Sequence, residues 1–128
     1  RIISCELNEV SYGYLRENIA LNKVVEKVEP ILGDNRALPG DAFADRVIMG
    51  YVKTTHEFLQ TAFRLLRSGG IVHYHETCPN ELLPDRPVQR LRSAAGRNKV
   101  EVLRFKEVKS YSPGVSHVVL DARFTRTS

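Results

Sequence analysis

Residues 45–75, DRVIMGYVKTTHEFLQTAFRLLRSGGIVHYH, decide the fold. Residues 45–51 are apolar in their interior, as a strand of a doubly covered sheet requires. Residues 56–66 then set Phe58, Leu59, Ala62, Phe63, Leu65 and Leu66 along one wide face, the period of an amphipathic helix. Arg67 falls in the last turn of that helix, and Gly69-Gly70 supplies its stop. Residues 71–75 return to an extended pattern. A strand, a helix and a strand joined by so short a crossover pair in parallel through a right-handed connection, which is the mark of an α/β sheet.

Toward the N-terminus, residues 2–6 (IISCE) read as a short buried strand that ends in an acid. A helix is predicted over 10–22, with Asn8 or Ser11 as its cap and Tyr14, Leu15, Ile19 and Leu21 roughly on one face. Residues 28–32 are a second strand candidate, weakened by Pro30, which lacks a ladder donor. A loop over 33–36 and a Pro39-Gly40 turn follow. Toward the C-terminus, residues 87–96 form a basic helix. Residues 100–108 and 115–124 read as an antiparallel pair joined by Tyr111-Ser112-Pro113-Gly114. The fold class is therefore α/β, a mostly parallel sheet with a C-terminal antiparallel strand pair. A doubly wound sheet carries its first strand and a glycine-rich turn at its centre. The sequence opens inside a strand and holds no such loop, so both are expected upstream of Arg1.

With 128 residues there is room for one domain, and 42% hydrophobic with 27% charged residues is a globular composition. No apolar run approaches the ~20 residues of a membrane span, and no signal-peptide pattern is present, so a cytoplasmic protein is expected. Cys5 and Cys78 belong to no metal or redox spacing and read as reduced core thiols. A net charge of +4 suits a polyanionic partner as well as it suits an ordinary solvated surface.

In open α/β sheets ligands sit beyond the carboxyl ends of the strands. Glu6 ends the first strand, where a carboxylate can accept from both ribose hydroxyls of a nucleoside or simply face solvent. Asp34 and Asn35 end the second. An acid beside an amide matches the exocyclic amine and ring nitrogen of adenine, and the same residues also favour a plain turn. Found together at neighbouring strand ends, the two sites favour a nucleoside pocket. His73 and His75 alternate onto one side of a strand. His56 and His117 stand at no spacing that would complete a metal site, so no metal is expected. His75, nearer the carboxyl end, is the substrate candidate, and His73 reads as core packing. Arg86, Arg90, Arg92, Arg97, Lys99, Arg104, Lys106 and Lys109 make a basic stretch that either follows a phosphate backbone or is a solvated face. No nucleophile elbow, Walker loop or zinc helix is present.

Asp34-Asn35-Arg36, residues 44–51 (ADRVIMGY), His73-Tyr74-His75 and residues 111–121 (YSPGVSHVVLD) resemble the archaeal wybutosine-synthesising protein 2 group. These are relatives of the tRNA guanine-N1 methyltransferases that act beside the anticodon. The likeness covers essentially the whole chain. Residues 44–51 are its specific part, because the methyltransferase branch tends to carry an Asn-Leu-Pro type motif there. The resemblance implies a Rossmann-like class I domain with S-adenosylmethionine as donor substrate, tRNA as partner and no metal. The reaction it implies moves the 3-amino-3-carboxypropyl group to carbon seven of 4-demethylwyosine in tRNA(Phe). Glu6 would hold the donor ribose, and Asp34 with Asn35 the adenine. Met49, Gly50 and Tyr51 would line the place where donor and base meet. The general base stays unassigned. Family members carry an N-terminal region and glycine-rich turn before the residue matching Arg1. The 128 residues are accordingly expected to be the C-terminal part of a catalytic domain, monomeric and inactive alone. A guanine-N1 methyltransferase and a non-catalytic tRNA-binding piece are the rival readings.

Overall fold

The structure, a computed structural model, describes residues 1–50 and 54–127. Strand β1 (Ile2–Glu6) and strand β2 (Val28–Leu32) pair in parallel, from Ile2 opposite Val28 to Glu6 opposite Leu32. Helix α1 (Glu9–Leu21) crosses between them. Of the two predicted caps it uses Asn8, whose side chain accepts the Ser11 N–H at 3.0 Å. Pro30 does not break β2, and the register explains why. The Lys27 carbonyl accepts from Ile2 and the Gly33 N–H donates to Glu6, so the odd-numbered residues of β2 face β1. The missing donor of Pro30 therefore falls on the side away from β1, where no ladder bond is lost. With a 3-10 turn at Asn35–Ala37, these elements form a compact unit, Arg1–Pro39.

The residues from Gly40 onward form a second unit. It contains β3 (Ala44–Met49), a 3-10 turn at Thr55–Phe58, α2 (Leu59–Leu65), β4 (Leu66–Pro79), a 3-10 turn at Asn80–Leu82, α3 (Asp85–Ala95), β5 (Lys99–Ser112) and β6 (Val115–Thr125). The strand order is β3-β4-β6-β5. The β3–β4 pair is parallel as expected, and the other two are antiparallel. Gly114 turns the β5–β6 hairpin at φ 74°, a conformation glycine adopts without strain.

The helix predicted over 56–66 divides into a 3-10 turn and seven α residues, and β4 begins at once at Leu66. Gly69-Gly70 is therefore not a helix stop. The β3–β4 register jumps from Ala44–Leu66 to Arg46–Ile71, and the glycines lie in that irregularity. A Cβ on Gly70 would stand 2.8 Å from Leu66 Cδ2, 2.9 Å from the Arg67 carbonyl and 3.1 Å from that of Asp45. The Arg67 carbonyl just upstream, and then the β3 carbonyl of Asp45, leave no room for a Cβ there without backbone movement. Arg67, displaced from the helix, pairs with Asp45 at 2.5 Å.

Alternation builds the core. Val72, Tyr74, Glu76 and Cys78 of β4, with Val118, Leu120, Ala122 and Phe124 of β6, point to one face. They are buried there under Leu59, Ala62 and Phe63 of α2 and Leu91 and Ala95 of α3. Phe63 stacks on Phe124 with ring centroids 4.7 Å apart. Within this unit the helices cover that face, and along β3 Met49 is buried there while Ile48, on the other face, is 75% exposed.

Glu76 is an ionisable side chain in this core, 1% exposed. Its Oε1 accepts the Tyr74 hydroxyl at 2.5 Å and Arg90 Nη1 at 2.9 Å, and its Oε2 accepts Arg86 Nε at 3.0 Å. Arg86 also donates to the Thr77 carbonyl at 2.9 Å. Two cations of α3 thus pin the helix to β4. Burial opposes the ionisation of Glu76, and the hydrogen bonds from Tyr74, Arg90 and Arg86 more than offset it, so its pKa lies below the ordinary value. Burial, reinforced by the bond to Glu76, pushes the Tyr74 phenol up.

Candidate functional site

In the first unit the parallel pairing brings Glu6 and the Gly33-Asp34-Asn35 turn to one edge. The Gly33 N–H donates to the Glu6 carbonyl at 2.9 Å, so the two strand ends are directly bonded. Glu6 Oε1 accepts the Asn8 N–H at 3.1 Å. Its second carboxylate oxygen has no partner among the described residues. The Cys5 thiol donates to the Gly33 carbonyl at 3.2 Å beneath the turn. Burial, then the charges of Asp34 and Glu6, raise the Cys5 pKa.

Asp34 caps the 3-10 turn. Its Oδ1 accepts the Arg36 N–H at 2.9 Å, and the Arg36 guanidinium spans both oxygens, with Nε at 3.0 and 3.1 Å and Nη2 at 2.6 Å. The side-chain bonds from Arg36, then its backbone N–H, hold the Asp34 pKa at about 2. The turn reading of Asp34 is what the hydrogen bonds show. The carboxylate closes the turn, stays ionised at all working pH values and holds the exposed Arg36 guanidinium. Asn35 opens the turn and is exposed.

In the second unit Met49 ends β3 opposite Tyr74, its side chain buried on the helix-covered face, and Gly50 follows it. Tyr51 lies outside the described residues. His75 is on the other face, so Met49 and His75 are not brought together. His73 shares the face of His75 and is not core packing. Its Nδ1 lies 2.7 Å from Asp121 Oδ1, and Arg46 Nη1 lies 3.1 Å from its Nε2. That pattern suits the tautomer with the proton on Nδ1. His75 Nδ1 and His117 Nε2 are 3.0 Å apart. Burial, then the neighbouring His117 and His73, lower the His75 pKa. Burial and then Lys109 lower that of His117. Both rings favour the neutral form, in which one nitrogen can donate and the other accept. Among the described residues no three His, Cys, Asp or Glu side chains converge as metal ligands would.

Reading by composition missed Tyr74, Glu76 and Asp121, and it took Arg86 and Arg90 for members of a solvated or phosphate-following stretch. The signal was present. The alternation through Val72 and Tyr74 continues to Glu76 and Cys78, which puts an acid on the buried face, ten residues before Arg86.

Parallel strands linked by crossing helices, polar groups at their carboxyl ends and a closing antiparallel hairpin define a Rossmann-like α/β domain of the class I methyltransferase fold. The chain belongs to the TRM5/TYW2 methyltransferase domain family, which matches residues 1–103. It is 45% identical over 127 residues to the tRNA(Phe) (4-demethylwyosine(37)-C(7)) aminocarboxypropyltransferase of Methanocaldococcus jannaschii, covering 98% of this chain and 51% of that protein. It superimposes on the crystal structure of M. jannaschii TYW2 in complex with AdoMet with a TM-score of 0.90 at 45% identity, over 98% of this chain and 57% of the other. It is also 37% identical over 124 residues to the tRNA (guanine(37)-N(1))-methyltransferase Trm5b of Pyrococcus abyssi, covering 95% of this chain and 37% of that protein. The chain spans about half the length of the aminocarboxypropyltransferase it matches.

Proposed function

We propose that these residues are part of the catalytic domain of a cytoplasmic tRNA-modifying transferase that uses S-adenosylmethionine as donor. The protein moves its 3-amino-3-carboxypropyl group to carbon seven of 4-demethylwyosine in tRNA(Phe). One observation carries the donor reading: the backbone bond from Gly33 N–H to the Glu6 carbonyl brings Glu6 and the Gly33-Asp34-Asn35 turn to the same end of the paired parallel strands, with one Glu6 carboxylate oxygen unengaged among the described residues. Glu6 accepts from the two ribose hydroxyls. Asp34 accepts from the adenine amine as Arg36 swings away, and Asn35 serves the ring nitrogen beside that amine. Both carboxylates hold the nucleoside end, so the pose of the sulfonium decides which of its carbons meets the base. Carbon seven attacks the aminocarboxypropyl carbon, the carbon–sulfur electrons pass to sulfur, and the proton on carbon seven leaves. Methylthioadenosine is the second product.

The identity to the M. jannaschii aminocarboxypropyltransferase and the ADRVIMGY string over residues 44–51 support this transferred group. The 37% identity to a guanine-N1 methyltransferase supports a second reading, methyl transfer beside the anticodon. The deciding assay supplies a protein containing this chain with S-adenosylmethionine and tRNA(Phe) bearing 4-demethylwyosine, then weighs the released nucleosides. Gain of an aminocarboxypropyl group is expected. Gain of a methyl group establishes the second reading, and an unchanged mass refutes both.

A further inference from the structure

The distal β5–β6 hairpin is unlike the rest of the second unit. Every residue from Leu103 to Gly114 is exposed, including Phe105 at 41% and Tyr111 at 46%. Three register shifts interrupt β5, between Val102 and Arg104, Glu107 and Lys109, and Ser110 and Ser112. Such irregularities, with lysines on an edge strand, block the addition of another strand. The exposed aromatic side chains are therefore not there to recruit a β-strand partner.

Charge on this arm is sorted by face. Arg104, Lys106 and Lys109 stand opposite Asp121, Val119 and His117, on the face away from the helices. Glu107 stands opposite buried Val118 and is held by Ser116 Oγ at 2.8 Å. None of the three cations has an ion-pair partner among the described residues. They span about 17 Å of strand at ~3.3 Å per residue. Position adds to this. β4 runs from Tyr74, opposite the end of β3, on to Pro79, and Pro79 faces Val115 at the foot of the hairpin turn. The arm thus projects past the carboxyl end of β3, on the edge of the sheet where ligands of this fold class bind.

We propose that this arm is an RNA-docking surface. Arg104, Lys106 and Lys109 contact consecutive phosphates, and Tyr111 offers a ring for stacking an unpaired base. The proposal rests on the tRNA-modifying reading and assigns the surface that holds the acceptor. Cations in a row with an exposed ring on the same arm are the chemistry of single-stranded and loop RNA recognition.

The test titrates a full-length protein containing this chain with labelled tRNA(Phe) transcript at several salt concentrations. The triple variant Arg104→Gln, Lys106→Gln, Lys109→Gln should bind more weakly. The slope of log affinity against log salt should shrink by about 2 to 3, at 0.7–0.9 per phosphate contact. Tyr111→Ala should weaken binding about tenfold with the slope unchanged. Arg92→Gln with Arg97→Gln, away from the arm, should leave both quantities as they were. Circular dichroism checks that each variant is folded, and S-adenosylmethionine titration of the same samples separates the two readings. An unchanged slope in a folded triple variant that still binds the donor overturns the arm alone. A wild-type protein that binds no donor overturns the donor reading, whatever the arm does.

Discussion

Replacing Glu76 with Gln removes one charge from the middle of a bonded group. Gln keeps an oxygen to accept the Tyr74 hydroxyl, so that contact survives. Arg86 and Arg90 lose their counter-charge, however, and Gln turns an N–H toward one of them. Removing one partner of a fully buried ion pair costs about 3–5 kcal/mol because the other charge is stranded. Here the arginine side chains keep 31% and 27% of their exposure and can recover water. The expected loss is therefore somewhat smaller, about 2–3 kcal/mol. Urea unfolding followed by far-ultraviolet circular dichroism reads it directly, as a lower midpoint at unchanged slope. The same group dictates acid behaviour. A carboxyl whose folded pKa is depressed contributes stability above its unfolded pKa, near 4.3 for Glu, and that contribution is lost as pH falls through the folded value. The wild type should lose stability below about pH 4, and Glu76→Gln should lose correspondingly less. A loss under about 1 kcal/mol at neutral pH, or identical acid profiles, would show that the cluster does not hold α3 to the sheet.

Gly70→Ala should destabilise by about 1–3 kcal/mol in the same assay, because its Cβ would crowd the Arg67 and Asp45 carbonyls; a neutral effect would contradict the close approach. Both thiols should label slowly with iodoacetamide at pH 7, since burial raises both pKa values, and Cys78 should be the slower of the two because it is fully buried. Peptide mass mapping over time distinguishes them, and rapid modification of Cys78 in folded protein would contradict the packing of β4.

Much of this was legible in residue order. The strand–helix–strand reading of residues 45–75 gives the β3–β4 pairing, because the helix period and the flanking apolar runs are local properties. Glu6 and Asp34 could be placed at neighbouring strand ends for the same reason. Gly69-Gly70 was misleading because a glycine that ends a helix and a glycine that admits a neighbouring backbone look alike in sequence. Which one it is depends on how the chain folds back at Leu66 and Arg67 and how β3 pairs beside it. Arg86 and Arg90 were obscured likewise, since a cation on a polar helix is indistinguishable from a solvated one until the strand beneath presents its acid. His73 reads as core packing in the sequence, yet strand pairing puts it opposite Asp121, away from the buried face.

The proposed nucleoside grip lies at the ends of β1 and β2. Calorimetric titration of S-adenosylmethionine into a protein containing this chain tests it most directly. Glu6→Gln should weaken donor binding about 10- to 100-fold, the loss of one charged hydrogen-bond set worth about 1.5–3 kcal/mol. Asp34→Asn should weaken it as well. Donor affinity unchanged in both folded variants would contradict the assignment of this edge as the donor site.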